Sequence, residues 1–116
     1  MLTAVSYGQV EVASALLSYG ADKDTSDENG VTLLMHAARQ GHVITATHLM
    51  ELDADIDART RKGKTALHLA ALGGRLQMVE KLLGEGAKFN VGDVKGVTPL
   101  MEATRNEHAR IVRLLI

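Results

Sequence analysis

The sequence predicts an all-α fold in which short helix pairs stack side by side into a solenoid. Gly30, Gly63 and Gly96 recur at one constant interval, thirty-three positions each time. A fixed period of this length is the signature of a stacked repeat array rather than of one closed core. Aromatic residues make up only 3% of the 116-residue chain, so small side chains between closely packed helices must supply the compactness. The same step recurs in further columns: Thr32, Thr65 and Thr98; Leu34, Leu67 and Leu100; Ala37, Ala70 and Ala103.

Each unit is predicted to begin with a capped helix. Thr98 precedes Pro99; a threonine hydroxyl caps the first backbone donors of a helix, and proline fits its first position. In the preceding unit this first helix carries Leu67, Ala70 and Ala71 on its buried side. Alanine at these positions allows neighbouring helices to approach closely.

Glycine is predicted to end both helices of a unit. Gly74 ends the first helix, because glycine readily adopts the left-handed conformation of a tight reversal. A second helix follows over 76–85, with apolar residues at helical spacing, and Gly86 closes it. The segment 87–95 is predicted to be an extended turn or hairpin that leads to the next unit.

Three places depart from this pattern. Asp53 stands where Gly86 stands one period later, so a non-glycine residue must enter a left-handed turn or reshape it. Glu107 replaces the glycine between the two helices of the last unit, and the neighbouring Asn106 is expected to take over part of its role. The segment 43–47 is rich in β-branched residues, which makes it a poor helix by itself. That unit is expected to depend most on its neighbours.

The repeated motifs resemble the ankyrin repeat, and the resemblance extends over essentially the whole chain. Gly-Lys-Thr-Ala-Leu-His-Leu-Ala-Ala at 63–71 and Gly-Val-Thr-Pro-Leu-Met-Glu-Ala at 96–103 carry the first-helix motif. The second-helix end is carried by 82–90 and by 16–22. Aligned on the period, the resemblance implies a single ankyrin-repeat domain, 1–116, with a partial repeat 1–26, two whole repeats 27–59 and 60–92, and a partial repeat 93–116. The apolar end of the last unit suggests a piece of a longer array, or ends that pack against something.

The sequence argues against a catalytic, metal or cofactor site. Cysteine is absent, which excludes a thiol nucleophile and a thiolate zinc site. No two of the five histidines stand three or four positions apart, which is the spacing that a helical metal pair needs. A structural role in local hydrogen bonds is the interpretation we favour for them, His68 included. No glycine-rich phosphate loop follows a strand.

Charge is divided unevenly along the chain. Residues 1–58 carry 2 basic and 9 acidic side chains, and residues 59–116 carry 11 basic and 5 acidic ones. Three interpretations stay open: solvated turns that keep the protein soluble, a patterned surface that steers a partner of complementary charge, or a nucleic-acid site at the basic turn. Adjacent acidic turns and the lack of interleaved aromatic residues argue against nucleic acid.

The resemblance implies which surfaces bind, because ankyrin arrays usually use their concave first-helix face and their projecting turn tips. Leu72 in the concave row is either an apolar contact or a single exposed leucine that needs no explanation. The concave positions are Tyr7, Arg39, Gln40, Leu72, Arg105 and Asn106. The turn-tip positions are Glu28, Asn29, Arg61, Lys62, Lys64 and Lys95. Arginine and tyrosine are frequent among binding hot spots.

Asn90 is a possible modification site. It follows the Gly-Ala turn at a place where asparagine in this family can be hydroxylated, whereas the aligned residues are Asp24 and Asp57. The alternative is a turn-stabilising side chain that bonds to its own backbone.

The function predicted from these features is non-catalytic protein recognition. The alternatives are a structural spacer or assembly element that makes its contacts end to end, or the targeting module of a larger multidomain protein. No signal peptide and no apolar stretch of membrane-spanning length is evident. We therefore expect an intracellular protein, cytoplasmic or nuclear, without membrane insertion and without a cofactor.

Overall fold

A computed structural model describes Ser26 and residues 28–116, and their architecture is a row of three helix pairs. The described residues contain no strand and only one isolated bridge, between Ser26 and Thr32. The prediction of an all-α repeat fold is therefore confirmed. The features predicted for residues 1–25, Tyr7 among them, lie outside the described residues. The helices are α1 (Leu33–Gln40), α2 (Val43–Glu51), α3 (Ala66–Leu72), α4 (Leu76–Gly84), α5 (Pro99–Arg105) and α6 (Ala109–Leu115).

The first helix of each pair starts at the predicted threonine. The Oγ1 atoms of Thr32 and Thr98 accept hydrogen bonds from the backbone N–H groups three residues later, at 3.2 and 3.3 Å. Thr65 makes the same bond, and its own N–H donates to the Nδ1 atom of His68 at 3.0 Å. The threonine column thus fixes where each unit enters its helix, once per period.

The helix ends follow the glycine column, with two exceptions. Gly41 and Gly74 adopt left-handed φ angles of 77° and 71°, as predicted for the turn between helices. Asp53 also adopts the left-handed conformation, at φ 63°. The expectation for Asn106 was wrong: its φ is −96°, and Glu107 itself takes the left-handed position at φ 60°. The side-chain amide of Asn106 instead donates to the Glu102 carbonyl at 2.8 Å.

The second helices form in all three pairs. The β-branched segment is helical within α2, where Ala46 and Leu49 are fully buried, so packing overrides its weak intrinsic propensity. α4 ends at Gly84, one residue before the predicted end. The segment 87–95 that follows is an irregular turn rather than a hairpin of strands.

Small residues let consecutive first helices pack directly against one another. α1 contacts α3, and α3 contacts α5. The approach is closest at Gly73, where a Cβ atom would lie 2.6 Å from the carbonyl oxygen of Arg39. No side chain fits at that distance. The alanines buried in this row are Ala37, Ala38, Ala70, Ala71 and Ala103.

The turns between units are copies of one another and are joined in a row. The N–H of Gly63 donates to the Thr60 carbonyl at 2.8 Å, and the N–H of Gly96 donates to the Asp93 carbonyl at the same distance. Neighbouring turns are linked by backbone bonds of 2.9 Å, from Arg61 N–H to the Asn29 carbonyl and from Val94 N–H to the Lys62 carbonyl. The tips are therefore held in fixed register along the stack.

Alanine substitutions at Gly63 and Gly96 should separate the two constraints on the turn glycines. Both residues have left-handed φ angles, 80° and 79°, but a Cβ at Gly63 would lie 3.0 Å from the Val94 nitrogen, whereas nothing lies within 4 Å of one at Gly96. We expect Gly96→Ala to lower the free energy of unfolding by about 1–2 kcal/mol. Gly63→Ala should lower it by about 1 kcal/mol more, because it also forces neighbouring turns apart. Urea unfolding measures both; equal losses would contradict the close approach.

Replacing Asp53 by glycine should stabilise the protein. Asp53 carries a left-handed penalty that glycine does not, and the gain should be up to about 1 kcal/mol after glycine's larger loss of backbone entropy. The control is Glu85→Gly, at a residue with φ −91°, where glycine brings no relief and stability should fall. Equal changes in the two urea midpoints would contradict this account.

Candidate functional site

The first helices and the turn tips enclose a groove of about 750 Å³. α1 and α3 form its floor, and the turns around residues 29–31 and 60–64 form its wall. The repeating elements themselves form the groove, because the turn tips project beyond the first helices. The packing of those helices is fixed by alanine and glycine. The lining residues are Asn29, Val31, Met35, His36, Arg39, Gln40, Thr60, Arg61, Lys62, Lys64, Leu69 and Leu72.

Seven of the predicted binding residues line this groove. On the floor they are Arg39, Gln40 and Leu72; on the wall they are Asn29, Arg61, Lys62 and Lys64. The structure does not bring the others into it. Glu28 is exposed beside Asn29, and Lys95, Arg105 and Asn106 are exposed on the last unit, further along the same surface. Tyr7 lies outside the described residues.

Sequence reasoning missed His36 and Leu69, which lie on the groove floor. Each precedes a predicted residue, Arg39 or Leu72, by three positions. Residues three apart on a helix share one face. That spacing was the available signal, and it extends the concave surface by one helical turn towards the start of each first helix.

Lys64 differs from the other predicted turn tips, because its ammonium group is turned into the protein. Its side chain is only 23% exposed, and Nζ lies 3.0 Å from Asp93 Oδ2 and 3.2 Å from Glu102 Oε1. Both carboxylates belong to the next unit, and their side chains are almost completely buried. Lys64 therefore joins two units and contributes little net charge to the groove that it lines.

Asp93 connects this ion pair to the backbone of the last turn. Its Oδ1 atom accepts from the N–H groups of Lys95 and Val97, at 2.8 and 2.9 Å. Thr60, one period earlier, uses its hydroxyl in the same way, accepting from Lys62 and Lys64. A carboxylate in place of the hydroxyl stabilises the same turn and adds a negative charge for Lys64.

These contacts shift the pKa values of the network. The hydrogen bonds that Asp93 accepts, first from Val97 N–H and then from Lys64 and Lys95, hold the pKa of its carboxyl far below the usual range, against the opposing effect of burial. Burial alone would lower the pKa of Lys64, but its hydrogen bonds to Asp93 and Glu102 and the charges of both outweigh burial and raise it. Both shifts favour the ionised forms of Asp93 and Lys64.

His68 completes the buried polar network in a structural role, as we predicted. Nδ1 accepts from the Thr65 N–H, so the ring proton is assigned to Nε2, which donates to the Val97 carbonyl at 2.8 Å. Burial lowers the pKa of this imidazole, which favours the neutral form that both bonds require. Within Ser26 and residues 28–116, no cluster of three His, Asp or Glu side chains could hold a metal ion.

Side chains of the following unit fix the backbone of the groove floor. Arg75 Nε donates to the Arg39 carbonyl at 3.1 Å. His108 Nε2 lies 3.2 Å from the Leu72 carbonyl. In both pairs the two partners are 36 positions apart in the sequence. The ends of α1 and α3 are therefore held at a constant offset from the next unit.

Asn90, the possible modification site, is an exposed residue of the turn after α4. Its equivalent one period earlier, Asp57, uses Oδ1 to accept the backbone N–H of Lys88 in the next unit, at 3.0 Å. At Asp57, this position of the repeat therefore makes a contact between neighbouring units. Hydroxylation of Asn90 stays a prediction.

Replacing Asp93 by asparagine should flatten the acid end of the stability profile. The folded-state pKa of Asp93 lies below its unfolded value of about 3.9. Its contribution is therefore complete above about pH 5 and is lost as the pH falls through the folded value. Urea unfolding between about pH 5 and pH 3 should show a smaller loss of stability in Asp93→Asn than in the wild type, whereas exposed Glu80→Gln should keep the wild-type slope. A wild-type slope in Asp93→Asn would remove Asp93 from this role.

Comparison with known families identifies the repeats. A family model described as ankyrin repeats (3 copies) matches residues 1–60 and 47–116. No curated protein matches the chain. Ankyrin repeats are generally protein–protein interaction modules and are typically non-enzymatic. None of the helices in the described part of the chain is long and apolar enough to cross a membrane. With its helix pairs, its threonine and glycine columns and this match, the chain belongs to the ankyrin repeat family.

Proposed function

We propose that this chain is a non-catalytic recognition module that holds a partner protein against its concave first-helix face and its charged turn tips. The observation that carries the proposal is the groove, where Arg39 and Leu72 on the floor face Arg61 and Lys62 on the wall. An apolar centre with arginine at its edge is the composition expected of a binding hot spot.

Rigidity supports the same conclusion. The tips are joined by backbone hydrogen bonds of 2.9 Å, and the floor is fixed by Arg75 and His108 of the following units. A surface held in this way loses little conformational entropy when a partner binds, so more of the contact energy appears as affinity.

Removing the two arginines of the concave row should weaken partner binding without unfolding the protein. Arg39 and Arg105 are both exposed. Truncating a hot-spot side chain costs about 1 kcal/mol or more, so Arg39→Ala/Arg105→Ala should reduce affinity about tenfold or more. The measurement is affinity capture from a lysate with quantitative mass spectrometry, alongside circular dichroism and thermal melting.

The matched control removes two arginines from a second helix, as Arg110→Ala/Arg113→Ala. Both residues are exposed on α6, so the change in net charge is the same. A partner that is lost by the concave variant and retained by the control supports the proposal. Partners that bind all three proteins equally would contradict it, and unfolding of the concave variant would contradict the surface position of its arginines.

A second candidate function, assembly through the C-terminal end of the stack, is favoured by one observation. Met101 is 52% exposed, whereas Met35 and His68 in the same column are 1% and 0% exposed beneath the next unit. The occupant that we propose is a second copy of this chain, because helix pairs of this sequence already cover that column twice.

Sedimentation equilibrium tests this candidate. If the end face self-associates, the average mass of the wild type should rise with concentration, and Met101→Glu should suppress the rise by placing a charge in the contact. The exposed substitution Thr104→Glu, on the same helix, tests whether charge alone has that effect. A constant monomer mass at all concentrations would contradict assembly by this route.

A further inference from the structure

The groove is lined by cations, and none of the described residues that line it is acidic. Four basic side chains reach it, Lys64 among them. Asp93 and Glu102 neutralise Lys64. The net positive charge of the described lining residues therefore comes from Arg39, Arg61 and Lys62. Within the part of the chain that the structure describes, no carboxylate forms an ion pair with any of these three. Charge complementarity therefore favours a ligand that brings negative charge to these three residues.

The concave row also has a regular order: a cation, an apolar residue and a cation. Arg39, Leu72 and Arg105 occupy the same position of α1, α3 and α5 in successive periods of the repeat. Adjacent packed helices lie about 8–10 Å apart, so the row spans about 16–20 Å with Leu72 at its centre. The bonds from Arg75 and His108 to the carbonyls of Arg39 and Leu72 keep this spacing fixed.

One backbone conformation matches this spacing. A polyproline II segment has three residues per turn and rises about 3.1 Å per residue, so every third side chain faces the same way after an advance of about 9 Å. In a β-strand, successive side chains point to opposite faces, so residues three apart also point in opposite directions. The middle one of three such side chains would point away from the floor. Side chains at intervals of three in a polyproline II segment therefore meet Arg39, Leu72 and Arg105 in turn.

We propose that the concave row binds an extended acidic segment of a partner protein, in polyproline II conformation, with an apolar side chain on Leu72 and carboxylates three residues to either side on Arg39 and Arg105. Arg61 and Lys62 on the wall attract further acidic residues of the segment. This inference rests on the proposed function, because it specifies the partner of the same surface.

Nucleic acid is the other large polyanion, and the observations favour it less. The centre of the row is Leu72, with Leu69 one helical turn away, and among the lining residues that the structure describes there is no aromatic side chain to stack a base. An apolar centre of this kind suits an aliphatic or aromatic side chain of a peptide.

Defined peptides test the proposal on the full chain. The probe is a capped nine-residue peptide with leucine at its centre, glutamate three residues to either side, and proline elsewhere to favour polyproline II. One control replaces both glutamates by glutamine, and another moves them next to the leucine without changing the composition. Titrations are followed by the ¹H–¹⁵N resonances of the protein, the arginine Nε–H groups included, and single-stranded oligothymidylate is titrated in parallel.

We expect the probe to shift the resonances of Arg39, Leu72 and Arg105 and to bind at least tenfold more tightly than either control peptide. Binding should weaken at least tenfold in Arg39→Ala/Arg105→Ala and in Leu72→Ser, but not in Arg110→Ala/Arg113→Ala. It should also weaken in about 1 M NaCl, where the Debye length is only about 3 Å.

Equal binding of the probe and the controls, tighter binding of the oligonucleotide, or no binding of any peptide would each overturn the inference. The proposed function is judged separately by the capture experiment. A protein captured through Arg39 and Arg105 while all the peptides fail would keep the recognition module and remove its acidic ligand.

Discussion

Close approach between consecutive units is the constraint on which the rest of this structure depends. The α-carbon of Gly73 lies so close to the Arg39 carbonyl that there is no room for a side chain. Alanines fill the row between the first helices. This approach brings Arg75 within hydrogen-bond distance of the Arg39 carbonyl. The same approach allows neighbouring turns to exchange backbone hydrogen bonds. Groove width, tip register and the spacing of the concave row all follow from it.

A chain so poor in aromatic residues still stabilises its interior with specific contacts. Between the last two units the buried polar side chains Thr65, His68, Asp93 and Glu102 are hydrogen-bonded to one another, to Lys64 or to backbone groups. Buried polar groups stabilise a fold only when they are satisfied in this way, and a connected set then favours one arrangement. The network also determines the groove's electrostatics, because it neutralises one of the basic side chains that line it.

Much of the fold could be predicted from the sequence because the repeat encodes backbone geometry at single positions. A threonine that caps a helix and a glycine that must be left-handed act locally, so their columns locate the helices without knowledge of the packing. The same reasoning left two outcomes open at Asp53, a left-handed turn or a reshaped one, and the structure has the left-handed turn. It failed at Asn106, which was expected to take over part of the glycine's role: Glu107 adopts the left-handed conformation at the glycine's own position of the repeat, and the Asn106 amide donates to the Glu102 carbonyl instead.

The candidate site was less accessible to sequence reasoning, because side-chain direction depends on the neighbouring unit. Lys64 lies in a turn beside Lys62, and only the three-dimensional position of Asp93 and Glu102, both in the following unit, turns it inward. Periodicity predicts that such residues recur on one side of the stack. It does not predict which of them are already paired.

The two backbone bonds that join neighbouring turns have the same polarity: the later turn donates its N–H and the earlier turn accepts with its carbonyl. A chain leaves the ribosome with its N-terminal part first. Each turn that has folded there offers an oriented carbonyl before the donor that will bind it has been synthesised. Co-translational folding of this stack can thus proceed as templated elongation, in which every completed turn sets the register of the one that follows.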